Sequence, residues 1–159
     1  MSKRYDPRMH TVEHILNQTM DRMFGCGRCV SAHIEKKKSK CDYRFDHPLT
    51  ADETSAVADA VNRIIESDLP ITDAIVSRED AQAEFSPLRL PESAGEPLRI
   101  VRVGDYDACP CIGQHVTRTA DIGAFRITST DFANGILRIR YKLGPPRGPL
   151  PPAGSPSLC

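Results

Sequence analysis

Apolar residues recur at helical spacing between residues 9 and 24, where Met9, Val12, Leu16, Met20 and Met23 fall on one stripe. That stripe is predicted to face the core. His10, His14, Asn17 and Asp21 cluster on a different face of the same helix, which must look onto water or a pocket. The stretch Gly25 to Gly27 ends the helix, and two strand-like segments follow, residues 29–34 and 42–45. A second helix is predicted over residues 50–67, with Val57, Val61, Ile64 and Ile65 as its apolar face and Thr50 and Glu53 as a capping box. Pro70 blocks its continuation; residues 71–76 read as a strand, 78–85 as a short acidic helix and 98–103 as another strand. Beyond a Cys-rich turn, residues 123–128 and 136–143 form two more strands, separated by the turn residues Asp131, Asn134 and Gly135. In the last one Leu137, Ile139, Tyr141 and Leu143 alternate with Arg138, Arg140 and Lys142, so one face is apolar and the other basic.

From Gly144 the chain is rich in proline and glycine and has little to bury, so residues 144–159 are expected to form a disordered tail behind a single domain, residues 1–143. A length of 159 residues suits one domain with its own core. The 21 basic and 21 acidic residues cancel, so any pull on nucleic acid must come from a local patch. Two such concentrations exist: Lys36, Lys37, Lys38 and Lys40 between the first two strands, and Arg138, Arg140 and Lys142 on the last. Each either solvates a surface or contacts phosphates. With no apolar signal segment and no run near the roughly 20 residues that span a bilayer, the protein is expected to be cytoplasmic, with reduced cysteines and no membrane partner.

The string His10-Thr-Val-Glu-His14 sets two imidazoles one turn apart, within reach of a single metal ion. Taken alone it fits a solvated helix face equally well. Far downstream, Cys111 and His115 form a second pair with the same spacing, and three histidines with one thiolate make a set typical of zinc. Cys26-Gly-Arg-Cys29 could build a separate zinc site with Cys41 and Cys109 or serve redox chemistry; buried thiols are the plain alternative. Cys159 reads as an exposed thiol of the tail, His47 before Pro48 as a turn residue, and His33 as a partly buried, hydrogen-bonded strand histidine.

The motifs in order, His-x-x-x-His early in a helix, then Arg44-Phe45-Asp46, then Cys-x-x-x-His with Val116 and Thr119-Ala-Asp-Ile-Gly123, resemble the editing domain of alanyl-tRNA synthetase and its free-standing AlaX relatives. The resemblance covers residues 9 to about 143. It implies an α+β fold of helices packed around an antiparallel sheet, zinc on His10, His14, Cys111 and His115, and hydrolysis of the ester that joins a wrong amino acid to tRNA. The substrate would be serine or glycine on the tRNA for alanine, or serine on the tRNA for threonine. The family's Cys-Gly-Gly-Thr-His is here Cys111-Ile-Gly-Gln-His115, and His33 stands at a strand position usually held by glutamine. His33, Gly113 and Gln114 are therefore the expected substrate-binding positions.

Glu13 stands where threonine is common before the second histidine. It could be the general base for water, an acceptor that orients a ligand imidazole, or a solvent-facing residue without a role. A chain of this length has no room for the synthetase's other parts, so it is expected to act in trans on misacylated tRNA, finding it through Lys36, Lys37, Lys38, Lys40, Arg138, Arg140 and Lys142. Two rivals stand beside this reading. His10-x-x-Glu13-His14 matches the H-x-x-E-H peptidase pattern, which leaves Cys111 and His115 unexplained. A zinc-stabilised RNA-binding module without hydrolytic activity would account for the altered Glu13 and Gln114.

Overall fold

Asp6 starts the first helix of the computed structural model, α1 (Pro7–Phe24), by accepting the Arg8 and Met9 amides at 2.9 and 3.3 Å. Pro7 suits the first turn because its missing amide proton would have had no partner there. Gly25 closes the helix, its amide donating to the Asp21 carbonyl at 2.8 Å. Met9, Val12, Ile15, Leu16 and Met20 are buried, as the stripe requires, while Met23 is exposed in the last turn. The structure describes residues 6–85 and 98–146. Gly144, the first residue of the expected tail, donates to the Ala124 carbonyl at 2.8 Å. Residues 147–159, including Cys159, lie outside the described residues.

The elements that follow are β1 (Ser31–Ile34), β2 (Ser39–Arg44), α2 (Ala51–Glu66), β3 (Ile71–Val76), α3 (Arg78–Phe85), β4 (Leu98–Val103) and β5 (Asp107–Pro110). After a 3-10 turn, Thr119–Asp121, come β6 (Phe125–Ala133) and β7 (Ile136–Leu143). Among the described residues two antiparallel sheets result, one ordered β1-β2-β7-β6 and the other β3-β4-β5. This is the expected α+β class. The capping box of α2 is present: Thr50 accepts the Glu53 amide at 3.0 Å while the Glu53 carboxylate accepts the Thr50 amide at 2.9 Å. No helix among the described residues is long and apolar enough to cross a membrane.

Three elements depart from the expectation. β2 begins at Ser39, three residues early, because Ser39, Lys40 and Cys41 pair with Tyr141, Arg140 and Ile139 of β7. β6 runs on through Asp131 to Ala133, because the reversal is made by Asn134 and Gly135 alone, whose φ values of 54° and 76° are those of a two-residue hairpin turn. β5 falls in what reads as the Cys-rich turn. It is four residues long and has no apolar alternation, and its pairing with β4, Val101 opposite Cys109 and Val103 opposite Asp107, makes it a strand.

The four-stranded sheet lays Cys41 and Tyr43 of β2 and Leu137, Ile139 and Tyr141 of β7 into a core shared with α1 and with Val57, Val61 and Ile65 of α2. Each such aliphatic side chain contributes about 1.5–3 kcal/mol of burial. The alternate residues of the same strands, Lys40, Asp42, Arg138, Arg140 and Lys142, line the opposite face of the sheet. The three-stranded sheet is tied to the main core through Val103 and carries a small cluster of its own, Ala81, Leu98 and Ile100. Between this sheet and the polar side of α1 lies the candidate site.

Candidate metal centre

The side of α1 that carries no apolar stripe is covered as far as its third turn, where His10, His14 and Asn17 are all buried, and exposed beyond it at Asp21. Against it lie β5 and the loop that follows. Arg99 of β4 pins that loop, donating through Nη1 to the carbonyls of Cys111 at 3.2 Å and Gly113 at 2.7 Å, while the Cys111 amide donates back to the Arg99 carbonyl at 3.1 Å. The loop thereby brings Cys111 and His115 to the two helix histidines. Donor atoms of His10, His14, Cys111 and His115 all lie within 4.8 Å of one another.

Cys111 Sγ is 3.5 Å from His10 Nε2 and 3.5 Å from His115 Nε2. A tetrahedron with a Zn–S bond of about 2.3 Å and Zn–N bonds of about 2.0–2.1 Å has an S to N edge of about 3.5 Å, so the four side chains fit a zinc ion with little movement.

Partners on the far side of each ring set the imidazoles for this. The Thr11 hydroxyl donates its one proton to the Pro7 carbonyl at 2.7 Å. It must therefore accept from His115 Nδ1 at 3.0 Å, which places a proton of His115 on Nδ1 and, in the neutral ring, gives the Nε2 lone pair to a metal in the cluster. His10 Nδ1 faces the Gln114 carbonyl at 3.2 Å, an acceptor only, with the same result. His14 Nδ1 faces the Asp107 carboxylate at 3.5 Å without completing a hydrogen bond. Asp107 is itself held by Gln18 at 2.9 Å and Arg28 at 2.8 Å.

Charge follows this geometry. Burial opposes ionisation of the Cys111 thiol, but the imidazoles of His10, His115 and His14 outweigh it and hold the thiol down at about 3. Burial would likewise discharge His14, yet Asp107 and Cys111 raise it to about 9. His115 is lowered, first by burial and then by the other two histidines. Without metal the cluster is thus a thiolate beside an imidazolium, and a cation entering it displaces one proton from His14.

Gly113 is fixed by space. A Cβ there would sit 2.1 Å from His10 Cε1, so the loop can pass under that ring only as glycine. Its amide donates to Cys111 Sγ at 3.4 Å. Gln114 is exposed beside it, as is Ile112, which is 93% exposed between two ligand-loop residues. Glu13 lies next to the cluster with Oε1 3.7 Å from His10 Nε2, and it is neither solvent-facing nor bound to a ligand's Nδ1.

His33 is exposed, where the sequence predicts partial burial, because β1 turns it away from the core to pair with Glu35 at 2.6 Å. It does not join the metal cluster. Instead it lines a groove of about 350 Å³ on the outer face of the four-stranded sheet, together with Lys38, Lys40, Arg138, Arg140 and Lys142. The two basic segments, about a hundred residues apart in the chain, meet there because β2 and β7 are hydrogen-bonded neighbours with Lys40 opposite Arg140. Asp42 holds Arg138 at 2.8 and 3.0 Å and Asp131 holds Arg140, which offsets part of the charge. Lys36 and Lys37 are exposed in the connection and do not line the groove.

The four-cysteine set does not assemble. Cys26 turns to the Met20 and Gly27 carbonyls and Cys109 to the Pro110 carbonyl, whereas Cys29 and Cys41 meet each other and Glu13. Sequence reasoning places Asn17 on the histidine face of the helix without a role, and misses Thr11, Arg28, Arg99 and Asp107 among the residues that support the site. Only Thr11 has a positional clue, since it sits inside the His-x-x-x-His string, directly after the first ligand.

A small α+β domain with a three-histidine, one-cysteine cluster between a helix and a second sheet is therefore the class of protein in hand. Residues 98–140, which contain Cys111 and His115, match the model of the threonyl and alanyl tRNA synthetase second additional domain. The chain is also 34% identical over 145 residues to the alanine–tRNA ligase of Neisseria meningitidis serogroup C, an alignment that covers 86% of this chain and 16% of the ligase. The corresponding ligases of Coxiella burnetii and Fervidobacterium nodosum are each 31% identical over 140 and 139 residues, with the same two coverages. The chain thus spans about a sixth of the length of these curated relatives. Both comparisons bear out the resemblance drawn from the order of motifs: this chain is similar to alanine–tRNA ligases, and its residues 98–140 to the second additional domain of threonyl and alanyl tRNA synthetases.

Proposed function

We propose that this chain hydrolyses the ester bond of a misacylated tRNA, serine or glycine on the tRNA for alanine or serine on the tRNA for threonine, in the cytoplasm and with zinc on His10, His14, Cys111 and His115. The observation that carries the reading is the convergence of those four side chains, each histidine backed by its own partner, in a relative of the synthetase domain. Zinc at this position would supply a fixed positive charge that polarises or orients the aminoacyl ester. Glu13 is the carboxylate beside it, and its Oε1 takes a proton from the water whose oxygen attacks the ester carbonyl. The bond to the ribose oxygen then breaks and that oxygen takes the proton back from Glu13, leaving a free amino acid and a tRNA hydroxyl. Gly113 lets the ligand loop lie against His10, and the exposed Gln114 and Ile112 form the rim that an aminoacyl group meets. His33, on the basic groove, faces the tRNA backbone in this reading, together with Lys38, Lys40, Arg138, Arg140 and Lys142.

The test presents the purified chain with each mischarged tRNA, with and without a chelator, beside His14→Ala. Release of the amino acid that needs both zinc and His14 is expected; no release from any of the three substrates overturns the reading. A second reading, a zinc-stabilised RNA-binding module, draws on the same centre: three histidines and a cysteine already give zinc its four donors and keep no position open. It expects tRNA binding without ester cleavage in that assay.

A further inference from the structure

We infer that Glu13, Cys29 and Cys41 form a second site, for a thiophilic divalent cation such as zinc, beside the histidine-rich centre and distinct from it. Their donor atoms, two sulfurs and a carboxylate oxygen, lie within 4.8 Å of one another. The three come from α1, from the approach to β1 and from β2, so their meeting is a product of the fold and not of a local motif. Cys41 is fully buried, Cys29 partly so, and Glu13 Oε2 stands 3.5 Å from Cys29 Sγ.

The site is braced as metal sites are, by a neighbour that orients the donors. Asn17, only 3% exposed, gives its amide to Glu13 Oε2 at 3.4 Å and uses its carbonyl oxygen to accept the Cys29 amide at 3.2 Å and the Tyr43 hydroxyl at 2.8 Å. One side chain thus fixes both the carboxylate and the backbone of a thiol. On the other side Tyr141, fully buried on β7, turns its hydroxyl toward Cys41 without completing a hydrogen bond to the thiol. That hydroxyl gains a full acceptor for its proton once Cys41 is a thiolate, the form in which it binds a metal.

Two thiolates and a carboxylate are costly to bury as anions, and a divalent cation removes that cost while using all three. Two sulfurs select zinc over magnesium or calcium. Binding through Oε2 leaves Glu13 Oε1 facing His10, so both centres share one carboxylate without competing for the same oxygen.

Reduced, full-length chain is loaded with zinc, separated from unbound metal and analysed for metal and protein. Two zinc ions per chain are expected, falling to one in Cys29→Ser and one in His14→Ala. Because Cys41 is buried and its substitution could cost folding, the partly exposed Cys29 carries the test, with circular dichroism confirming the fold. Cadmium titration supplies the second readout: sulfur-to-metal absorption from three thiolates in the natural chain, and from fewer in Cys29→Ser. One zinc per natural chain, or a Cys29→Ser variant that binds as much metal as the natural chain, overturns the inference. Cys29→Ser leaves His10, His14, Cys111 and His115 in place, so a failure here leaves the deacylation test standing on its own.

Discussion

Thr11 has one hydroxyl and three hydrogen bonds, and all three serve His115: the proton goes to Pro7, and the lone pairs go to the ring and to the Val116 amide at 3.1 Å. Thr11→Val keeps the shape and removes the acceptor. Zinc affinity is expected to fall roughly 10- to 100-fold, as for other outer partners of ligand histidines, measured by competition with a chelating dye. Asp107→Asn should act in the same direction through His14. Gly113→Ala drives a methyl into the His10 ring, so both zinc content and stability should drop, the latter by about 1–3 kcal/mol in a denaturant titration. Because His14 holds a proton up to about 9 in the metal-free cluster, zinc competes with that proton below this pH. Apparent affinity should rise about tenfold per pH unit toward pH 9 and then level off, and calorimetry in buffers of different ionisation enthalpy should count one proton released. For Glu13→Gln the expected loss is roughly 10²–10³-fold in kcat for deacylation with zinc retained at the histidine centre, read from single-turnover kinetics.

At the scale of elements, residues whose preference is local fall where the pattern places them. α2 begins at its capping box, and Thr50→Ala should destabilise the domain by about 1 kcal/mol, seen as a lower urea midpoint at an unchanged slope. β7 alternates as its sequence predicts, and its apolar face is the floor of the core. β5 is not legible because nothing in Asp107–Pro110 states a strand; β4 beside it does. The length of β6 is hidden for a related reason. Polar residues such as Ser129 and Asp131 look like turn material, yet they occupy the outer side of a strand whose reversal needs only Asn134 and Gly135.

Across the whole molecule the basic groove is the feature with a measurable long-range consequence. If tRNA lies on it, Lys38→Ala and Lys142→Ala should each weaken binding alike for all tRNA sequences and reduce the slope of log affinity against log salt by roughly 1. Lys36→Ala and Lys37→Ala, outside the groove, should change the slope less. An equal effect of all four would show that the sheet face is not the contact surface.

The sequence by itself determined the four candidate ligands, because a spacing of four on a helix and a Cys-x-x-x-His string are local facts that chemistry can read. It also determined the helix faces and the apolar and basic sides of β7, since periodicity of 3.6 or 2 is written along the chain. Only the tertiary structure decided which thiols share a site. Cys26 and Cys29 are close in sequence, yet Cys29 meets Cys41 and Glu13 instead, because the bend before β1 and the pairing of β1 with β2 set side-chain direction. It decided as well that Asp107, Thr11 and Asn17 support the donors. A partner at the back of a ligand is chosen by the packing of α1 against β5, the loop after it and the approach to β1, and packing joins residues that no spacing along the chain relates.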